Sequence, residues 1–362
     1  LKFPQLPSLC TVFIEPQLAL DLNLRQWDLL IRQARSASVL ARLGYLFDSV
    51  GLLDQIPAQP RTHINSTQIY ADRFYISLQW EITCIQEALK AVNAPLVLLK
   101  GSAYFIAGNK AAKGRIFSDV DILVPENKLL EVETALIKSG WMTNTLDPYD
   151  QKYYRQWMHE IPPLRHLKRQ TSIDVHHNIL PRTSGFCPDA NKLLANIVKI
   201  SDKNIWVLAP EDRVLHSATH LFHEGELKYG FRDLSDLDLL LKEFSAEEKF
   251  WAKLQQRAEE LNQQIPLYYA LRYTHQILQT PVPEKVLKAS QEPMPNIIKQ
   301  TLMDALFLRG LRPDHKSCKD GWTGLARWLV FVRSHWLRMP VYLMVPHLLR
   351  KGFRRAIGKE QH

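Results

Sequence analysis

The sequence predicts an α+β protein, a small mixed-sheet core set between helical regions. Three observations predict it. Residues 1 to about 92 carry apolar side chains at helical spacing, with Trp27, Leu30, Ile31, Ala34, Val39 and Leu43 on one face. Between about 93 and 185, short apolar runs bounded by Pro or Gly alternate with helical stretches. After Pro181 the helical period returns. A chain of 362 residues has room for two or three domains. The expected limits are 1–92 for an N-terminal helical region, 93–185 for the mixed core, 186–320 for a second helical region and 321–362 for a basic, aromatic tail.

Each element has a local reason. Pro57 and Pro60 place a break over 54–60. A long helix is expected over 66–92, with Phe74, Leu78, Ile82, Ile85 and Leu89 along one side. The run 95–99 has strand length and is bounded by Pro95 and Gly101. A short helix is expected over 102–108 and a strand over 116–124. Pro125 opens a helix to about Lys138, and Gly140 ends it. A strand over 141–145 and a hairpin-like region over 159–179 follow, the latter with alternating residues at 172–176. Glu211 and Asp212 mark a helix start at Pro210, and further helices run to about Leu240, over 251–261 and over 267–278.

Composition narrows the class. The chain is 46% hydrophobic and 23% charged, as expected of a well-cored globular protein. Its four cysteines lie far apart with no CxxC pair, which argues against zinc ribbons and disulfide scaffolds and fits a reducing cytoplasm. No charged-then-apolar leader pattern opens it, and no apolar run reaches membrane-spanning length. The net charge is +9, and most of the excess sits after residue 320, where eight Lys or Arg face one acid. Trp322, Trp328, Phe331, Trp336 and Tyr342 lie in the same segment, which Pro340 and Pro346 break. Such a tail packs on the body as a helical pair with exposed arginines, or it meets an acidic partner or an anionic membrane surface, at the inner face if the protein is cytoplasmic. Nucleic acid is not an expected partner, because no RNA- or DNA-reading motif accompanies the charge.

The chemistry concentrates in the stretch 115–124, RIFSDVDILV. Residues i and i+2 of a strand share a face, so Asp119 and Asp121 project together. Two adjacent carboxylates repel unless a cation lies between them, and a hard divalent ion such as Mg²⁺, or Mn²⁺, takes oxygen ligands while keeping positions for phosphate. The spacing alone is equally that of a strand end with two solvated acids. Three features favour the metal. Lys100-Gly101-Ser102 joins a strand to a helix, where backbone can approach a ligand. Lys110, Lys113 and Arg115 make the loop into the carboxylates cationic. Asp174 lies alone between Ile173 and Val175, and pairing of its strand with that of Asp119 and Asp121 would bring three acids together.

This order of motifs resembles the DNA polymerase β-like nucleotidyltransferase superfamily, and more fully its uncharacterised bacterial nucleotidyltransferase family. The residues that carry the resemblance are Leu99-Lys-Gly-Ser-Ala103, Arg115 through Asp121, Asp174-Val-His176, a helix with His216, His220 and His223, and Arg232-Asp233, over roughly residues 20 to 280. It implies transfer of a nucleoside monophosphate from an NTP to an acceptor hydroxyl, with pyrophosphate leaving. Asp119, Asp121 and Asp174 would then be catalytic and hold the metal, Asp174 also serving as general base. Lys100, Gly101, Ser102, Arg115 and Ser118 would hold the nucleotide. The acceptor, a small molecule or a protein, stays open, as does a non-catalytic relative that binds nucleotide or a partner through the same cleft.

His176 shares the face of Asp174, and His159 and His166 flank Pro162-Pro163, so a place in the substrate cleft is open to all three. His216, His220 and His223 share one helix face, where packing is the expected role rather than zinc. Asp233, Asp236 and Asp238 read as a solvated face or cap, with Arg232–Asp233 as a structural ion pair.

Overall fold

The computed structural model describes residues 7–143, 147–200, 204–292, 296–340, 342 and 344. The chain enters through α1 (Ser8–Ile14), α2 (Leu24–Ser36), α3 (Leu40–Ser49) and the long α4 (Ala58–Leu89). Asn23 and Gln26 close a capping box at the start of α2. α4 begins inside the expected 54–60 break: Pro60 sits in its first turn, where the missing N–H has no intrahelical acceptor to lose.

The mixed core follows as β1 (Leu96–Leu98), α5 (Lys100–Ile106), β2 (Asp119–Leu123), α6 (Leu129–Lys138), β3 (Trp141–Thr143), α7 (Pro148–Trp157), β4 (Leu164–His166) and β5 (Ser172–His176). Then come α8 (Ala190–Leu194), β6 (Ile197–Lys199) and β7 (Ile205–Leu208). The seven strands form one sheet in the order β3-β4-β5-β2-β1-β7-β6. The expected core ended at 185, but β7 pairs in parallel with β1 and β6 pairs with β7, so the sheet continues to residue 208. Three- and four-residue strands inside a helical stretch carry too little period to be read from sequence.

The remaining helices are α9 (Pro210–Glu224), α10 (Gly230–Phe244), α11 (Phe250–Glu260), α12 (Gln264–Leu278), α13 (Glu284–Gln291), α14 (Ile297–Gly310) and α15 (Thr323–Arg338). α9 ends at Gly225 with φ +74°, and any Cβ there would strike the Ser334 side chain of α15. α15 is the described part of the tail, and it packs through Ala326, Val330 and Ser334. Its arginines are not the solvated charges expected. Arg327 pairs with Asp314, Arg333 donates to the Phe222 carbonyl at 2.8 Å, and Arg338 donates to that of His223 at 3.2 Å. Trp322, just before the helix, and Leu325, Trp328, Val332 and Trp336 on it are exposed. No helix among the described residues is long and apolar enough to cross a membrane. Residues 144–145 of the expected third strand, and Pro346, Arg350, Lys351, Arg354, Arg355 and Lys359 of the tail, lie outside the described residues.

One buried ionic network ties the layers together. Asp236 of α10 is met at 2.6 Å by Arg42 Nη2 of α3 and at 2.6 Å by Arg115 Nε from the loop before β2. Asp233 pairs with Arg232 at 2.9 Å and lies 3.6 Å from Arg115 Nη2. Arg42 also donates to the carbonyls of Ala111 (2.6 Å) and Lys113 (3.4 Å), and so clamps the loop itself. Gly114, at φ +70°, lies so close to the Arg42 backbone that a Cβ has no room. The acids of α10 are thus buried partners, which corrects the expectation of a solvated face: Asp233, Asp236 and Asp238 are each below 10% exposed. The expected Arg232–Asp233 pair is present.

Removing one member of such a network leaves an uncompensated buried charge. Asp236→Ala should therefore lower the unfolding free energy by about 3–5 kcal/mol. Asp28→Ala, which breaks only the exposed Arg32–Asp28 pair, should cost less than about 1 kcal/mol. Urea denaturation checks the contrast, and equal midpoints for the two variants would refute it.

Candidate active site

β2 and β5 run parallel in the register Asp119↔Ser172, Asp121↔Asp174 and Leu123↔His176. Opposed residues in a sheet share a face, and so do residues two apart. Asp119, Asp121, Asp174 and His176 therefore all emerge on one side. One oxygen from each of Asp119, Asp121 and Asp174 lies within 4.8 Å of the others, so the third acid joins the first two. The apolar Val120, Ile122, Ile173 and Val175 point into the opposite layer and are buried, which makes the platform rigid. Ser118, exposed at the strand entry, donates to Asp119 Oδ1 at 3.2 Å.

The electrostatics are those of a crowded anionic site. Asp121 Oδ1 accepts from Lys100 Nζ at 2.8 Å and from His176 Nε2 at 3.0 Å. Burial by itself would raise the Asp121 carboxyl, but the Lys100 ammonium and the His176 contact outweigh it and hold it well below the usual carboxylate range. Asp174 goes the other way: burial, then the negative charges of Asp121, Glu160 and Asp119, push it up to about 8. Neighbouring carboxylates separate in this way when negative charge exceeds what nearby cations balance. His176 Nδ1 lies 3.3 Å from Glu160 Oε2. Burial lowers this imidazole, but the bond to Asp121 and the charge of Glu160 leave it raised overall. His216 of α9 is buried, and burial with the nearby Lys100 charge drives it well down, so it stands neutral beside the cluster.

The expected nucleotide-binding residues divide. Lys100 is at the site, though its ammonium is on Asp121 rather than open to a phosphate, and its φ of +46° is one that few non-glycine residues adopt. Gly101 packs against the Arg115 guanidinium and the Phe117 ring so tightly that any side chain would collide. The Ser102 hydroxyl is buried and donates to the Leu99 carbonyl at 2.8 Å, within its own turn. Arg115 turns away from the acids: it is 6% exposed, fastened to Asp236, and lies over the Tyr104 and Phe117 rings. Its cationic loop serves packing first.

His159 lies against His176 with ring centroids 5.2 Å apart, so these two histidines do meet at the site. His166 does not: its Nδ1 accepts the Lys168 and Arg169 amides and its ring abuts Trp141. His223 packs its ring on Phe186, and among the described residues the three α9 histidines join no cluster of metal-ligating groups. Glu160 had no periodic or motif signal in sequence, and it reaches the site only because its backbone bridges to His176. Arg42, which sets the loop before β2, was equally silent.

The sequence profile of the family described as "Uncharacterised nucleotidyltransferase" matches residues 23–279. That is more than half of the chain, which belongs to this family. No curated protein and no solved structure matches it.

A divalent cation that bridges these acids would relieve their repulsion. Millimolar Mg²⁺ or Mn²⁺ should raise the melting temperature of the wild type by about 2–5 °C. Asp119→Asn and Asp174→Asn should lose most of that rise, and metal-free Asp174→Asn should melt no lower than the metal-free wild type. Differential scanning fluorimetry reads all of these, and an undiminished rise in both variants would place the cation elsewhere.

Proposed function

We propose that this member of the uncharacterised nucleotidyltransferase family is a metal-dependent enzyme. It would move a nucleoside monophosphate from an NTP to an acceptor hydroxyl and release pyrophosphate. The observation that carries this reading is the β2–β5 register, which sets Asp121 opposite Asp174 with Asp119 on the same face. On this reading the mixed sheet is a polymerase β-like catalytic core, and the helices before and after it supply the acceptor side.

The donor set suits Mg²⁺ or Mn²⁺. It consists of three carboxylates on a rigid sheet, carrying more negative charge than Lys100 and His176 balance. Asp119, Asp121 and Asp174 would hold the ion. When bound, it would neutralise charge on the triphosphate and on the oxygens that enter and leave. The chain's own groups would do the rest. Asp174 would take the proton from the acceptor hydroxyl as its oxygen bonds to the α-phosphorus and the bond to the pyrophosphate oxygen breaks. Lys100 and His176 would fix the orientation of Asp121 by holding its Oδ1. Lys100, next to the acids, is also the cation best placed to move onto a phosphate when the carboxylate is otherwise engaged. Ser118 would steady Asp119 at the open edge.

Incubation with NTPs labelled at the α-phosphate, Mg²⁺ and a panel of hydroxyl acceptors tests this, with the chain's own side chains among the acceptors. Label transfer and equimolar pyrophosphate are expected, and Asp119→Ala or Asp174→Asn should lower the rate at least about 100-fold. Unchanged turnover and unchanged metal-dependent NTP binding in Asp119→Ala would overturn the assignment.

A second surface supports a location for this activity. Trp322, Leu325, Trp328, Val332 and Trp336 recur every three or four residues along α15 and are 38–66% exposed. Beyond the described residues, 345–362 add five Lys or Arg against one acid in sequence. An aromatic stripe followed in sequence by a basic segment suits an anionic lipid surface. Flotation with phosphatidylserine-containing vesicles at low salt should carry the wild type upward and leave Trp328→Glu behind. No flotation of the wild type would remove this reading.

A further inference from the structure

We propose that His159, Glu160 and His176 form a second metal site, built for a transition ion of the zinc type, next to the all-oxygen cluster of Asp119, Asp121 and Asp174. One ligand atom from each of these three residues lies within 4.8 Å of the other two. Two imidazoles and one carboxylate favour zinc, cobalt or nickel over magnesium.

Two of its spacings match those around a tetrahedral ion. Metal–nitrogen bonds of about 2.0–2.1 Å at a tetrahedral angle set two ligating rings with centroids about 5 Å apart. The rings of His159 and His176 lie 5.2 Å apart, tilted by 31°. The same geometry puts neighbouring ligand atoms about 3.3 Å from each other. His176 Nδ1 and Glu160 Oε2 are 3.3 Å apart, a long distance for a charged hydrogen bond. The outer contact is also in place. His176 uses Nε2 on Asp121 at 3.0 Å, which leaves Nδ1 to face Glu160. Metal-bound histidines characteristically donate their other ring N–H to a carboxylate, which fixes tautomer and ring angle.

Backbone pairing, rather than flexible loop placement, presents the three ligands. Glu160 bridges to His176, and the His177 amide donates to the His159 carbonyl at 2.8 Å. Of the three ligands, Glu160 also lines a cavity of about 240 Å³ with Tyr154, Glu126 and His177, while the two histidine ligands lie outside its lining. Three protein ligands leave at least one position for an oxygen of solvent or substrate, the arrangement of catalytic rather than structural zinc sites. Asp121 would thus stand between two unlike cations, as ligand to the hard one and as orienting base for a ligand of the other.

The test uses the full chain, stripped with a chelator and titrated with Co²⁺ or Zn²⁺ in the presence of excess Mg²⁺. One equivalent of Co²⁺ should bind and give visible absorption bands in the range of nitrogen-coordinated cobalt. His159→Gln and Glu160→Gln should each weaken Co²⁺ and Zn²⁺ at least about 10-fold while the Mg²⁺-dependent rise in melting temperature persists. Asp119→Asn should do the reverse, losing the Mg²⁺ response and keeping the cobalt spectrum, which separates this site from the nucleotidyl-transfer reading. Circular dichroism shows whether each variant is folded, and the two ligand variants back one another. The proposal falls if Mg²⁺ displaces the cobalt stoichiometrically, or if both folded variants bind it with unchanged affinity and spectrum.

Discussion

The fold depends on one buried carboxylate. Asp236 holds Arg42 and Arg115 at once, from a helix near the N-terminus and from the loop that feeds β2. Without that pairing Arg42 would lose its carboxylate in a low-dielectric interior, and Arg115 would keep only the 3.6 Å contact to Asp233. With it, Arg42 can turn its remaining donors onto the carbonyls of Ala111 and Lys113, and the loop takes a single shape. Tyr75 adds its hydroxyl to the same loop, between the Ala112 carbonyl and the Arg115 amide. The loop then delivers Asp119 and Asp121 onto the sheet in fixed register. The geometry of the acids at the strand is thus secured from α3, α4 and α10, none of which carries an acid of the triad.

Two charge clusters lie side by side with opposite logic. Around Asp236 and Asp233 each carboxylate meets arginine, which makes the cluster structural. Around Asp121 the acids outnumber the cations, and the consequence is the divergence between Asp121, held low, and Asp174, driven up. Excess negative charge on a rigid platform is costly to fold and is kept where a cation or a phosphate complex relieves it. Gly101 connects the two clusters, because its missing side chain is what lets Arg115 and Phe117 close beneath the helix that carries Lys100.

Much of the site was legible because strand period is local. Asp119 and Asp121 had to share a face whatever surrounded them, and the lone Asp174 between apolar residues marked a strand with one polar exit. The pairing of those two strands stood only as a condition for bringing the acids together, and the β2–β5 register meets it. Arg115 reads in sequence as part of one phosphate-binding loop because its neighbours, Lys110 and Lys113, are exposed and cationic. Its true partners are more than a hundred residues away. The acids of α10 were read as solvated for the same reason: a buried, paired helix acid and a solvated one have the same sequence signature. Glu160 was invisible, since a single bridge to His176 outside any strand leaves no period.

By itself the sequence determined what depends on spacing and composition: the long amphipathic helices, the two acids on one strand face, the third acid on another strand, the family, and a tail rich in tryptophan and arginine. Tertiary structure alone decided which charges meet. It turned Arg115 inward to Asp236, put Lys100 on Asp121, extended the sheet through β6 and β7, and gathered His159 and Glu160 around His176. The physical reason is range. Backbone periodicity and side-chain propensity act over a few residues. A buried charge is settled by whichever opposite charge the packed chain brings within about 3 Å, and that partner can come from any part of the chain.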